Sequence, residues 1–324
     1  AGPFADEARE RGIDVRVIER HNPFRAARAM RDLVDEFRPD IIHCHGGRAN
    51  LMGAMVRRSR QVPIVTTVHS DYKLDYLGNP FKQHTFGAAN AVALRFLDFY
   101  QPVADRMART LIERGFDPER IVKIYNGMDF KRPEGEFDRA AYLRDTYGVE
   151  VEEGDVLCGI AARLTAVKDI ATTVRGFAAA LEEAPQLRLF IAGDGEDEEM
   201  LRRLCAQLGV AERVTFCGWV SPVGPFFRAM DINLLSSVSE TFPYSILEGV
   251  CAGCATICSD VGGMPELIDT GENGYIFPVG DDRQLARYMA RLANDPALRC
   301  AFSEALYDKA SREFSRENMC ARQE

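Results

Sequence analysis

Two carboxylates and two cations stand out for what they could do together. Glu240 lies in the polar run Ser239-Glu240-Thr241-Phe242-Pro243, and Glu248 follows in Tyr244-Ser245-Ile246-Leu247-Glu248-Gly249. The first acid closes a turn after an apolar stretch. The second falls inside a helix that Pro243 is placed to start, because proline's missing N–H would have no partner in a first helical turn. Such a turn offers Glu240 and several free backbone N–H groups at the positive end of a helix, which suits an anionic or hydroxyl-rich ligand. Upstream, Arg163-Leu164-Thr165-Ala166-Val167-Lys168 puts two cations past another apolar stretch. Paired cations neutralise the charge that develops on a departing diphosphate, and a carboxylate accepts two hydrogen bonds from a diol. The four side chains suit a ligand that carries both a diphosphate and a sugar. A lysine at a helix start also opposes the helix dipole, which favours a ligand-binding reason for Lys168.

These groups need strands to carry them to one edge. The second half reads as strands at 156–161, 187–192, 214–216, 232–235 and 255–258. Helices fall at about 169–183, 196–208, 223–230 and 243–252, with two closing helices at 281–294 and 296–313. The first half alternates in the same way, with strands at 13–18, 40–45, 62–68 and 121–125 and helices at 23–37, 48–59, 88–99 and 103–113. This alternation implies α/β architecture, parallel sheets with helices on both faces. Ligands in such sheets bind outside the carboxyl ends of the strands. The charged segment after Phe130, with Pro133, Gly135 and Gly148, reads as a linker with one short helix. The expected division is a first domain over 1–130, a linker over 131–152, a second domain over 153–315 and the start of a last helix over 316–324.

Arg163, Lys168 and Glu240-x7-Glu248 resemble the donor-site signature of retaining glycosyltransferases of family 4. The resemblance extends, in the family's order, to Gly193-Asp194-Gly195, Phe216-Cys217-Gly218, Gly262-Gly263-Met264-Pro265-Glu266 and Asn273-Gly274-Tyr275. Asn126-Gly127-Met128-Asp129 resembles the segment where such enzymes pass from one domain to the other. The resemblance covers nearly the whole chain and is strongest in the second half. It implies two Rossmann-like domains facing across a cleft, the GT-B fold. It also implies transfer of a sugar from a nucleotide-diphosphate donor to a hydroxyl of a glycan, lipid-linked or small-molecule acceptor. Polysaccharide or envelope glycan synthesis in a bacterium is the implied setting, and no metal cofactor is expected. By the resemblance, Arg163 and Lys168 grip the diphosphate, Glu240 the donor-sugar hydroxyls and Glu248 the ribose. His69, at the end of the 62–68 strand, would lie near the donor sugar and phosphate, so the implied catalytic set is His69, Glu240, Arg163 and Lys168. Gly193, Gly218 and Val220 would line the donor pocket, and Thr241, Phe242 and Pro243 would shape its turn. The family normally has a strand and a Gly-rich loop before the point matched by Ala1-Gly2-Pro3, so the first domain is expected to be truncated and this segment short of one element of the site. A hinge is expected at Asn126 to Asp129, with Gly127 its most permissive residue.

Composition narrows the alternatives. With 49 acidic against 40 basic residues, the net charge of -9 argues against general nucleic-acid binding. No apolar run approaches the roughly 20 residues of a bilayer span, so a cytoplasmic protein is expected, with the apolar helix near 88–99 as a surface for peripheral membrane contact. Nine cysteines, several in strand-like runs, favour reduced thiols. Cys251, Cys254 and Cys258 have metal-like spacing but sit among small residues and read as packing. His43 and His45 face one way at period two without an acidic partner; a cleft role for His45 stays open. Gly193-x-Gly195 runs into Glu196-Asp197-Glu198, which breaks a dinucleotide fingerprint and weakens a dehydrogenase or epimerase reading. A glycoside phosphorylase or hydrolase would use paired carboxylates but not the Arg–Lys pair. A non-catalytic nucleotide-sugar-binding protein is the alternative from another class.

Overall fold

The computed structural model describes residues 3–18, 23–57, 61–74, 81 and 83–323. Among them the strands are β1 (Ile42–His45), β2 (Ile64–Val68), β3 (Phe99–Pro102), β4 (Val156–Ala161), β5 (Leu187–Ala192), β6 (Val214–Gly218), β7 (Ile232–Leu235), β8 (Ala255–Ser259) and β9 (Tyr275–Phe277). The second half forms one parallel sheet in the order β6-β5-β4-β7-β8-β9. Its first strand, β4, lies in the middle, and the chain winds outward first to one side and then to the other. That reversal opens a crevice at the carboxyl ends of β4 and β7. The two strands pair only at Cys158–Ile232 and Gly159–Asn233, so they part before those ends.

The strands of this sheet are near-continuous apolar runs because both faces are covered. On one face Ile160, Ile191 and Ile232 pack with Val174 and Phe177 of helix Ile170–Ala180 and with Leu285 and Met289 of helix Asp282–Asn294. On the other, Leu157 and Phe190 pack with Phe226, Phe227 and Leu143. Leu143 belongs to helix Arg139–Tyr147, which starts at the Asp138 cap and stops at Gly148 in the left-handed region, φ 68°. The expected linker thus carries a helix that packs on the second sheet, and Phe137, Tyr147 and Val151 join the same cluster.

The first sheet is parallel in the order β1-β2-β3. Its core gathers Val56, Ile64, Leu94, Leu97, Tyr100 and Leu111. Three expectations need correction here. Residues 13–18 form no strand: Ile13 and Val17 are exposed, and alternation alone makes no strand without a neighbour to take its hydrogen bonds. The helix expected over 88–99 ends at Leu94, and Phe99 begins β3. Asp98 makes the break, its carboxylate accepting from the Arg57 guanidinium and from the amide of Ile64, both at 2.9 Å. The strand expected at 121–125 is reduced to a bridge at Ile121, with the Val122 and Ile124 amides donating to the carbonyls of Tyr100 and Pro102.

The two halves are joined by several polar contacts. The Thr241 hydroxyl donates to the His69 carbonyl, and Asn126 Nδ2 donates to the Phe242 carbonyl at 2.9 Å. Glu266 accepts from the Asp105 amide at 2.8 Å, capping helix Asp105–Glu113, and from the Tyr125 hydroxyl at 2.6 Å. Burial and that carboxylate push the Tyr125 phenol up to about 12. Glu266 thus ties one half to the other, beyond the local helix cap that its place in the sequence suggests. Gly127 also has another purpose than a loose hinge. A Cβ there would lie 2.7 Å from both the Ser315 carbonyl oxygen and Met319 Cβ, because the start of helix Arg316–Gln323 crosses over it. Met128 and Ser315 form a bridge, with Met128 N donating to Phe314 O at 3.1 Å and Arg316 N to Met128 O at 3.0 Å. Gly127→Ala is therefore expected to lower stability in denaturant titration by roughly 1–3 kcal/mol, the range for overpacking, and to speed amide exchange over 314–319. Unchanged exchange would show that the last helix does not rest on Gly127.

Candidate functional site

At the crevice between β4 and β7 the structure brings Lys168 and Glu240 into contact, with Arg163 on the loop after β4 and Glu248 on the helix after β7. The loop after β4 is held from both sides. Leu164 is buried, its amide donating to Asp194 O at 2.8 Å and its carbonyl accepting from Asp197 N at 3.0 Å. Gly193 and Gly195 adopt φ of 136° and 158° and press against the carbonyls of Ala162 and Leu164, where a Cβ would collide. Gly193, expected to line the donor pocket, therefore has a packing reason of its own. On the β7 side, Val238 N donates to Val167 O at 2.9 Å, and Ser236 Oγ reaches the carbonyls of Lys168 and Asp169 at 3.1 and 2.9 Å.

This stitching brings Lys168 to Glu240. The ammonium ion-pairs with Glu240 Oε1, which also accepts from Ser237 Oγ at 2.7 Å. The pair is largely enclosed, its side chains 21% and 12% exposed. Arg163 is exposed, and its guanidinium has no partner among the described residues. The turn itself is supported from below. Gly262, φ 51°, leaves no room for a Cβ against the carbonyls of Glu240 and Thr241, and Gly263 N donates to Thr241 O at 2.6 Å. The amides of Glu240, Thr241 and Phe242 donate to no protein group among the described residues. The side chains of Thr241 and Phe242 are engaged: the hydroxyl is turned to His69, and the ring is buried, stacked on Phe314 with centroids 4.9 Å apart. Pro243 is the cap residue of helix Tyr244–Ala252.

Glu248 lies on that helix, half-buried and without a hydrogen-bond partner among the described residues. Burial holds its carboxyl above the ordinary value. An enclosed carboxylate left unpaired marks a binding residue more often than a structural one. Farther along the strand ends, Gly218 has φ 65° and open space where a side chain would go. Val220, beside it, is partly buried on the cluster around Phe226, and Trp219 between them is 71% exposed.

From the first sheet, His69 follows β2. Its Nε2 lies 3.0 Å from His45 Nδ1, and the His43 ring is next, 4.4 Å from that of His45. Burial, chiefly, and the neighbouring imidazoles hold His69 and His43 below the usual histidine range; burial does the same for His45. Among the described residues no three or more His, Cys, Asp or Glu side chains are grouped to hold a metal ion. Cys254 Sγ donates to Phe227 O at 3.2 Å, and Cys258 packs in an apolar cluster, so the cysteine spacing serves packing. Two members of the site were not singled out from sequence. Ser236 and Ser237 look like ordinary loop serines, and only the i, i+3 spacing of Ser237 to Glu240 hints at a contact.

Comparison with known proteins gives the family and the fold. Residues 148–309 match the family described as Glycosyl transferases group 1, and residues 1–127 match a Glycosyl transferase 4-like domain. An uncharacterized glycosyltransferase, MJ1607 of Methanocaldococcus jannaschii, is 29% identical over 77% of this chain and 64% of its own length. The N-acetyl-alpha-D-glucosaminyl L-malate synthase of Bacillus anthracis is 26% identical over 92% of this chain and 77% of its own. Among solved structures, Anabaena HepE in complex with UDP-glucose superposes with a TM-score of 0.84 at 22% identity, covering 98% of this chain and 86% of that one. These structures share the fold of two Rossmann-like halves.

Two substitutions should shift stability in opposite directions. Lys168→Ala strands Glu240 in a largely enclosed place and is expected to cost roughly 1–3 kcal/mol in denaturant titration. Glu248→Gln should stabilise at neutral pH. With its folded value raised, the Glu248 carboxyl binds protons more readily folded than unfolded, so its penalty grows as pH rises through the raised value and fades in acid. Equal stability of Glu248→Gln and parent at neutral pH would show that the carboxylate has a partner.

Proposed function

We propose, from the premise that the chain belongs to the Glycosyl transferases group 1 family, that it moves a sugar from a uridine-diphosphate donor to an acceptor hydroxyl with retention of configuration. The observation that carries this reading is the crevice at the ends of β4 and β7. It offers the unpaired Arg163, Lys168 beside Glu240, the unpaired Glu248 and three free amides. Arg163 and Lys168 take the diphosphate, Glu248 the ribose diol, and Glu240 with the amides of its turn the sugar hydroxyls. Uridine is favoured by the UDP and UDP-glucose named in the HepE complexes.

Catalysis in this reading rests on charge neutralisation and positioning. The cations stabilise the departing diphosphate. The acceptor approaches on the face that the leaving group vacates, and a donor phosphate oxygen takes the acceptor proton. His69 comes to the reaction from the first half, its carbonyl already tied to Thr241 of the donor turn. The acceptor surface belongs to the first half, where Val92, Phe96 and Phe99 are exposed while Ala93, Leu94 and Leu97 of the same segment are buried. An exposed apolar strip of this kind suits a lipid-linked acceptor in envelope or polysaccharide synthesis at the cytoplasmic face of a membrane. Among the described residues no helix is long and apolar enough to cross one.

Calorimetry with UDP and with intact UDP-sugars tests the roles. Arg163→Ala should weaken UDP binding by roughly 1.5–3 kcal/mol, as for hydrogen bonds to a charged group. Glu240→Gln should leave UDP affinity close to the parent's, since it also loosens Lys168, yet depress transfer. Affinity for UDP should fall as pH drops toward the ordinary carboxyl value, because the diol favours the ionised form of Glu248, and Glu248→Gln should flatten that dependence. Parent-like UDP binding by Arg163→Ala and Glu248→Gln together would remove the donor assignment.

A further inference from the structure

The carboxyl end of the first sheet carries a polar face of which the donor reading uses His69 alone. β1 and β2 pair in parallel with His45 opposite Thr67. With a side-chain period of two, His43, His45, Thr67 and His69 share one face, while Ile42, Cys44, Ile64 and Val68 go into the core on the other. On the polar face the contacts are specific. His43 Nε2 meets Thr67 Oγ1 at 2.8 Å, and His45 Nδ1 meets His69 Nε2 at 3.0 Å. The rings of His45 and His69 are stacked, with centroids 5.3 Å apart.

Two imidazole nitrogens 3.0 Å apart form a hydrogen bond only if one carries a proton and the other a lone pair. Both rings are held below the usual histidine range, and His45 disfavours a charge on His69, so the neutral pair with one proton between the two nitrogens is the stable arrangement. His69 is then fixed at two points. Its carbonyl accepts from Thr241 of the donor turn, and its Nε2 is engaged by His45. Its Nδ1 is left as the one ring atom with no partner among the described residues.

We infer that His45 is a positioning residue for the transfer reaction: it holds the His69 ring in one orientation, with Nε2 engaged, so that Nδ1 of His69 alone is turned to the ligand. The inference rests on the proposed role of His69 at the donor sugar. His45 touches neither donor nor acceptor in this arrangement; it acts through His69. A neutral imidazole has two tautomers, and an unrestrained ring can also flip to exchange Nδ1 and Nε2. Fixing the orientation removes two of the four presentations that His69 could offer and couples its tautomer to that of His45, which is the preorganisation on which a reaction run by positioning depends.

The contact is made through Nδ1 of His45, and this sets the choice of variants. An asparagine amide sits near the place of an imidazole Nδ1 and can donate or accept there; phenylalanine keeps the ring shape without either function. In His45→Phe, the nitrogen NMR shift of His69 Nε2 should move, because that atom loses its hydrogen-bond partner. Its kcat should fall roughly tenfold, the kinetic counterpart of one hydrogen bond, with the donor KM within about twofold of the parent. His45→Asn should restore the parent Nε2 shift and most of kcat. Unaltered His69 ring-nitrogen shifts in His45→Phe would overturn the inference, as would equal impairment of the Phe and Asn variants. Parent-like turnover by His69→Ala would instead overturn the proposed role of His69, and the NMR comparison would still decide the pairing. A thermal-melt check that both His45 variants fold keeps a collapsed first sheet from being read as a lost contact.

Discussion

The hydroxyl of Ser236 stands between the loops that follow β4 and β7. It lies 3.1 and 2.9 Å from the carbonyls of Lys168 and Asp169 and accepts from Thr173 Oγ1 at 2.8 Å, in a spot with no solvent access. The Lys168–Glu240 contact in the crevice depends on that junction. Parallel strands at a topological switch point have no sheet hydrogen bonds left to hold their ends together, since the crossovers depart to opposite sides. Ser236 and the Val238–Val167 bond replace the missing ladder. Asp169, held in the left-handed region at φ 44°, then starts helix Ile170–Ala180 at the angle that leaves Lys168 facing Glu240. A side chain without a hydroxyl at 236 would take this contact from the Lys168 carbonyl and the Thr173 hydroxyl and loosen the lysine at the same time, while the Asp169 carbonyl would still accept from Thr172 N.

What was legible in the sequence divides along this line. Strands buried on both faces, such as Leu187–Ala192, announce themselves as apolar runs, and helix boundaries at Pro296 and Asp281 carry their caps in plain view. The ends of β4 and β7 could be placed because strand and helix signals bracket them. Where partners decide the outcome, the chain alone is mute. Ile13 to Ile18 alternates as well as a true strand does, yet it lacks a neighbour among the described residues. Phe99–Pro102 sits at the end of an apolar run that reads as helix, and only the capture of Asp98 by Arg57 turns it into β3.

The glycines show the same limit from the other side. Gly127, Gly193 and Gly262 all occur in motifs that suggest freedom or ligand approach. In the folded protein each is a place where backbone meets backbone: Gly127 under the last helix, Gly193 on Ala162, Gly262 on the Glu240–Thr241 turn. Their neighbours lie 21 (Gly262 to Thr241) to 192 (Gly127 to Met319) residues away in the chain, so no local pattern names them. Gly218, at the end of β6, instead combines a positive φ with open space where a side chain would go.

The charges in the crevice are arranged unequally, and the inequality has a physical sense. Glu240, with its side chain 12% exposed, is engaged at Oε1 by Lys168 and Ser237. Removing those partners would leave a largely enclosed charge uncompensated. Glu248 and Arg163 have no partner among the described residues, so their stabilising partners can come from a ligand at no loss of a contact seen there. Lys168 is the exception, because it must serve both Glu240 and the proposed diphosphate. When a dianion enters, the lysine keeps one charge-assisted bond and gains others, and the carboxylate it partly releases is free to accept from a sugar hydroxyl. A nucleotide without its sugar would therefore meet a Glu240 whose first partner has been drawn away and whose second has not arrived. On this argument the intact donor binds more tightly than the nucleotide alone by the worth of the Glu240 contact, and the crevice selects for the molecule that carries both halves.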